Sequence, residues 1–107
     1  SSLVFDRVRA TGVRLPLTAY GSEEQPLSLT LRDVSVEFAE NARAPFMHLA
    51  YWDAVRMTRV RIRGVKAPVL IKAWSDGRSV ELADCDLGGY AGETFARTDE
   101  PFVCTPI

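Results

Sequence analysis

Val55-Arg56-Met57-Thr58-Arg59-Val60-Arg61-Ile62-Arg63-Gly64 carries apolar residues at its first, third, sixth and eighth positions, and that spacing recurs three more times. The other copies are Leu3-x-Phe5-x-x-Val8-x-Ala10, Leu29-x-Leu31-x-x-Val34-x-Val36 and Val80-x-Leu82-x-x-Cys85-x-Leu87, starting 26, 26 and 25 residues apart. Between residues 3–17 and 55–69 no gap is needed, and Arg7/Arg59, Val8/Val60, Arg9/Arg61, Gly12/Gly64, Val13/Val65 and Pro16/Pro68 are identical. A period of this length is the signature of a repeat architecture, in which each unit buries its apolar face on the next.

The repeat has a second part. Apolar stretches follow prolines at Pro16-Leu17-Thr18-Ala19-Tyr20, Pro45 to Tyr51 and Pro68 to Trp74, and Pro101-Phe102-Val103-Cys104 reads as the start of a fourth. Proline suits the first residue of a strand, and Gly12, Gly64 and Gly89 sit where a sharp bend needs freedom from Cβ strain. The unit therefore reads strand, tight turn, short apolar piece, proline, second strand, variable turn. Alternation of period two over 29–36 and 55–62 favours strands, and no stretch has a convincing helical period.

Stacked in register, these units predict an all-β, right-handed, single-stranded parallel β-helix of about four coils, formed by one domain over residues 1–107. The inward stacks are Leu3/Leu29/Val55/Val80, Phe5/Leu31/Met57/Leu82, Val8/Val34/Val60/Cys85 and Ala10/Val36/Ile62/Leu87. Outward positions give an independent check. Parallel neighbours lie about 4.8 Å apart, so like charges along the axis repel, yet one row reads Arg7, Asp33, Arg59, Asp84. Asp6/Arg32, Arg56/Glu81 and Arg61/Asp86 extend the same alternation. A leucine-rich repeat would put Asn or Cys where Val13, Ala39, Val65 and Tyr90 stand, and an immunoglobulin-like sandwich needs no axial repeat. Insertions are expected at residues 38–43 and, as a longer loop, at 90–100.

Composition excludes several roles. With 47% hydrophobic and 25% charged residues the chain is neither disordered nor a membrane segment. Thirteen basic and fourteen acidic residues give a net charge of −1, without the basic excess that nucleic acid or anionic lipid would need. No apolar run approaches the roughly 18 residues of a membrane span. The sequence opens on Ser1 with no signal-peptide pattern, so it is expected to be a processed product or a segment of a longer β-helix.

No phosphate loop, hydrolase triad or metal-ligand spacing is present, so no cofactor or metal is expected and catalytic residues are not assigned. Arg56, Arg59, Arg61 and Arg63 form a basic stripe that the charge ladder absorbs. His48, within Phe46-Met47-His48-Leu49-Ala50, reads as a core histidine. Cys85 is an inward thiol, and pairing with Cys104 stays open. Asp84 and Asp86, two apart on one strand, would face the same side, with Arg59 and Arg61 as ion-pair partners. Tyr20, Tyr51 and Trp74 each follow Ala and either shield the turn or form a platform for sugar rings, with Trp52, Asp53, Ser75 and Asp76 along the same edge.

Val55 to Gly64 is similar to the strand-and-turn cadence of polygalacturonase-like proteins, glycoside hydrolase family 28 in the pectin-lyase-like β-helix superfamily. Leu70-Ile71-Lys72-Ala73-Trp74-Ser75-Asp76-Gly77 resembles that family's Arg-Ile-Lys-Thr-Trp-Gln-Gly-Gly element, whose Arg and Lys bind a uronate carboxylate. Leu70 replaces the Arg, and the family's Asn-Thr-Asp, Asp-Asp and Gly-His-Gly motifs are missing. The resemblance implies the C-terminal coils of a secreted or periplasmic polysaccharide-active protein, a glycoside hydrolase or polysaccharide lyase, whose catalytic acids lie outside this chain. It implies that Lys72 meets the uronate carboxylate, and together with the aromatic edge this puts the expected contacts for an acidic polysaccharide or oligosaccharide at Lys72, Trp74, Asp76, Tyr51 and Trp52. The alternative is a non-catalytic module that binds carbohydrate or packs on a partner, by end-to-end self-association or against upstream coils.

Overall fold

The computed structural model describes residues 2–74 and 77–98. The axial repeat becomes a parallel β-solenoid of about four turns, and every pairing between its strands is parallel. Coil one is β1 (Ser2–Asp6), β2 (Arg9–Val13) and β3 (Leu17–Tyr20), and coil two is β4 (Leu27–Arg32), β5 (Ser35–Phe38) and β6 (Met47–Ala50). Coil three is β7 (Trp52–Thr58), β8 (Arg61–Arg63) and β9 (Val69–Trp74), and coil four contributes β10 (Ser79–Ala83) and β11 (Glu93–Thr98). The sheets run β1-β4-β7-β10, β2-β5-β8 and β3-β6-β9-β11, and an Arg61–Asp86 bridge extends the second into coil four.

The first predicted strand of each unit is two strands here. Arg7, Asp33, Arg59 and Asp84 all adopt positive φ, between 52° and 57°, and these corners stack one above another. A left-handed residue reverses the pleat within one position, which lets the chain turn between sheets without a loop. Backbone bonds tie the column together: Arg7 N donates to Arg32 O at 2.9 Å, Asp33 N to Thr58 O at 3.0 Å and Arg59 N to Ala83 O at 3.0 Å. Gly12, with φ of 66°, lies where the β2–β5 register shifts between Ala10 and Val13.

Inward stacking follows the sequence repeat. Leu3 pairs Leu29, Leu29 pairs Val55 and Val55 pairs Val80, with Phe5, Leu31, Met57 and Leu82 in the next layer. The core residues of coils two and three are sealed, with Val60, Met57, Met47, Leu49, Leu70 and Ile71 at 0% exposure.

Several expectations change. The stretch 90–100 is no plain insertion: β11 forms there and pairs β9 through Phe95–Ile71 and Arg97–Ala73. Pro101 to Cys104, expected to begin that strand, lies outside the described residues, as does any Cys85–Cys104 link. The Cys85 thiol lies 3.4 Å from the Met57 carbonyl. Asp84 and Asp86 do not share a strand, since Asp84 occupies a left-handed corner and Asp86 follows it on the next side. Arg61 and Asp86 are backbone neighbours, but Asp86 is gripped by the Arg63 fork at 3.1 and 2.9 Å. Asp6 likewise meets Arg7 at 3.5 Å and not its register neighbour Arg32. Arg56–Glu81 forms at 3.2 Å, and Arg59 forks onto Asp33 at 2.7 and 3.1 Å.

Candidate functional site

Of the residues singled out for ligand contact, Lys72, Trp74 and Tyr51 lie together at the outer face of the third sheet. Along β9, Ile71 and Ala73 are fully buried while Lys72 is exposed and Trp74 half-buried, as alternation along a strand requires. Leu70 breaks the pattern. Strand parity with Lys72 and Trp74 would turn it outward, yet it is fully buried, as is its neighbour Phe46, whose N–H donates to the Leu70 carbonyl at 2.9 Å. At the bend entering the strand two successive residues pack inward, so alternation begins only beyond it.

Register then defines two outward rows. One is Thr18, His48, Lys72 and Ala96, and the other is Tyr20, Ala50 and Trp74. With strands about 4.8 Å apart, the Tyr20 and Trp74 rings rise roughly 10 Å from each other, with the small Ala50 between them. Tyr51 is not in the row, being one residue beyond Ala50. It is the whole connection between β6 and β7, with φ of 51°, and its ring stands edge-on to Trp74 at 5.4 Å and 75°. A bulky residue held in this conformation costs about 1 kcal/mol, and such strain persists where the surrounding structure over-determines it.

Trp52 goes the other way. The Tyr51 corner turns successive aromatic residues to opposite sides, so Trp52 enters the core at 4% exposure, 5.6 Å from Phe95. It does not extend the outer edge with Trp74. Asp53 sits at a register shift and pairs with Arg78 at 3.0 Å, while Ser75 and Asp76 lie outside the described residues.

His48 was read as a core histidine and is half-buried on the outer face beside Lys72. Burial and then the Lys72 ammonium hold its pKa below the ordinary 6.5, so the imidazole is neutral at pH 7 and gains charge in acid. Its place was hidden by one residue. Aligning Pro45 with Pro68 puts His48 opposite Ile71 and therefore inward, whereas the observed pairing is His48 with Lys72.

Five arginine–carboxylate pairs occur among the described residues, at Asp6, Asp33, Asp53, Glu81 and Asp86. Asp86 also accepts the Gly88 N–H, and its carboxyl is held below the ordinary range chiefly by the Arg63 hydrogen bond. All but Asp6, which pairs with its neighbour Arg7 in the same coil, serve the coil-to-coil ladder. The arrangement on the third sheet offers what a sugar acid needs: flat apolar faces, a cation and a second, titratable donor.

No protein-family model matches the chain, and neither does any curated protein or solved structure.

Proposed function

We propose that this chain is a non-catalytic β-helix module, part of a polysaccharide-active protein, that holds an acidic saccharide on the outer face of its third sheet. The observation that carries the reading is that Lys72 and Trp74 project together from β9 on the solvent side, with Tyr51 bracing Trp74 edge-on. Sugar rings stack on the aromatic faces and the Lys72 ammonium meets the carboxylate. A single lysine is a point charge without the bidentate fork of an arginine, so binding is weak and salt-sensitive. The resemblance of residues 70–77 to the uronate-binding element of polygalacturonase-like proteins, through Lys72, supports the same ligand class.

NMR titration of the chain with oligogalacturonate tests it. The expected result is a Kd no better than about 1 mM, roughly −4 kcal/mol, with shifts at Lys72 and Trp74 and weaker binding in Lys72→Ala. If those signals stay fixed while the fold is intact, the saccharide site is lost and the chain is a packing module alone.

A further inference from the structure

We infer that Arg9, Ser35 and Arg61 form a site for a dianionic tetrahedral oxyanion, a sulfate or phosphate group, on the outer face of the second sheet. The site is separate from the third-sheet residues of the saccharide reading. Its three residues are register neighbours on β2, β5 and β8. They face away from the core, since Ile62, next to Arg61 on β8, is sealed inward. With Thr11, Glu37 and Arg63 they line a groove of about 340 Å³. The groove lies on the flank of coils one to three, so further coils stacked on either end of the solenoid would leave it open.

The charge ladder shows why an anion belongs here. In the left-handed column Asp33 stands between Arg7 and Arg59, and Arg59 forks onto it. In the row beside it the same place between two arginines holds Ser35, which carries no charge. On its other side Arg61 neighbours Asp86, but both oxygens of Asp86 are taken by Arg63. Among the described residues neither Arg9 nor Arg61 reaches a carboxylate. With strands about 4.8 Å apart, the two arginines rise from points roughly 10 Å apart, with the Ser35 hydroxyl between them. A row of cation, hydroxyl and cation repels itself until a negative group enters its middle.

The shape of the gap selects the ligand. The two arginines stand on opposite sides of Ser35 along the solenoid axis, and each carries a fork of N–H donors. A tetrahedral oxyanion offers oxygens to both sides at once and still accepts from the Ser35 hydroxyl. A carboxylate has both oxygens at one end and satisfies one arginine only. Two cations also favour a double charge, which sulfate carries and a phosphate monoester approaches at pH 7. Glu37 lies two residues from Ser35 on the same strand, and its charge acts on Arg63. It opposes an incoming anion, so binding is weak and salt-sensitive.

NMR titration of the chain with sodium sulfate, against sodium chloride at matched ionic strength, tests the site. Sulfate alone should give saturable shifts of the Arg9 and Arg61 side-chain N–H signals and of the Ser35 amide. R9Q and R61Q should each weaken binding about three- to tenfold, whereas R56Q on the first sheet should leave it unchanged. E37Q should tighten it. S35D supplies the missing acid of the row, so it should abolish the sulfate shifts and melt above the wild type at low salt. Inorganic phosphate should bind like sulfate. A sulfated saccharide that binds more tightly than inorganic sulfate places the oxyanion on a larger ligand, and equal affinity makes the free ion the ligand. Sulfate shifts no larger than those with chloride overturn the proposal. So do sodium acetate binding as tightly as sulfate, and sulfate binding that persists unchanged in the R9Q/R61Q double variant, whose exposed substitutions leave the core untouched.

Discussion

A single residue decides most where the coils leave it no room. Val60 is fully buried between Val34 and Cys85 in the stack, and Val60→Asp places an unpaired charge there. The variant should show no cooperative thermal transition by circular dichroism. Gly77 and Gly12 separate space from conformation. A Cβ at Gly77 would overlap the Trp52 indole, and Gly77 lies outside the positive-φ set. Gly12 has open space around it but φ of 66°. Gly77→Ala should therefore cost about 1–3 kcal/mol through overpacking, and Gly12→Ala about 1 kcal/mol through backbone strain. Thermal melts that rank the two the other way would place the constraint in the turn and not in the Trp52 contact. At Asp33, the Arg59 hydrogen bond holds the carboxyl below the ordinary 3.8. Its contribution is complete above that unfolded value and is lost as pH falls through the lower folded value. The melting temperature of Asp33→Asn should fall less than that of the wild type as pH is lowered below the ordinary 3.8, which thermal scans in increasingly acid buffer would record.

Elements show where the sequence is readable and where it is not. β4 alternates apolar and polar residues throughout and β7 does so from Val55 onward, past the register shift at Asp53, so their register with β1 and β10 follows from the 26, 26 and 25 residue spacings. β6 follows an insertion, and its proline is a poor ruler there: the strands align Met47 with Ile71, one residue away from proline on proline. A slip of one exchanges the faces, so proline on proline would turn His48 inward, in keeping with its apolar neighbours and against the observed pairing with Lys72. β11 is illegible for another reason. Glu93-Thr94-Phe95-Ala96-Arg97-Thr98 contains one large apolar residue, Phe95, and a lone inward side chain makes no pattern. The β6–β9 pairing has a measurable consequence. Since the Lys72 charge helps depress the His48 pKa, Lys72→Ala should raise it, read directly by NMR titration of the imidazole. The neutral form is favoured in the folded protein, so His48 lowers stability as pH drops from 6.5 towards its folded value. Saccharide affinity should move the opposite way, rising over the same interval as the imidazolium joins Lys72.

For the whole molecule, the coils differ in how completely they seal their side chains. Coils two and three hold the sealed core, whereas coil one presents its apolar residues to water. Val8→Lys and Leu15→Lys exchange apolar for charged surface at positions already 38% and 52% exposed. Each should shift the melting temperature little, since surface substitutions of this kind usually stay within about 0.5 kcal/mol. Thermal melts of the two variants beside the wild type check this. A large loss of stability would show that these side chains are held by contacts within their own coil.

The distribution of fully sealed side chains also sets an order of events in time. Leu29, Leu31, Met47 and Leu49 belong to coil two, and Val55, Met57, Val60, Ile62, Leu70 and Ile71 to coil three. In a linear array each unit draws its strength from its neighbours, so the two interior turns form the seed from which the rest is added, and the outer turns peel away first. Amide hydrogens in β4, β6, β7 and β9 should be the last to exchange with deuterium, and those in β1 and β2 among the earliest. The molecule then behaves as a short zipper closed in its middle, unwinding from its first turn long before it melts.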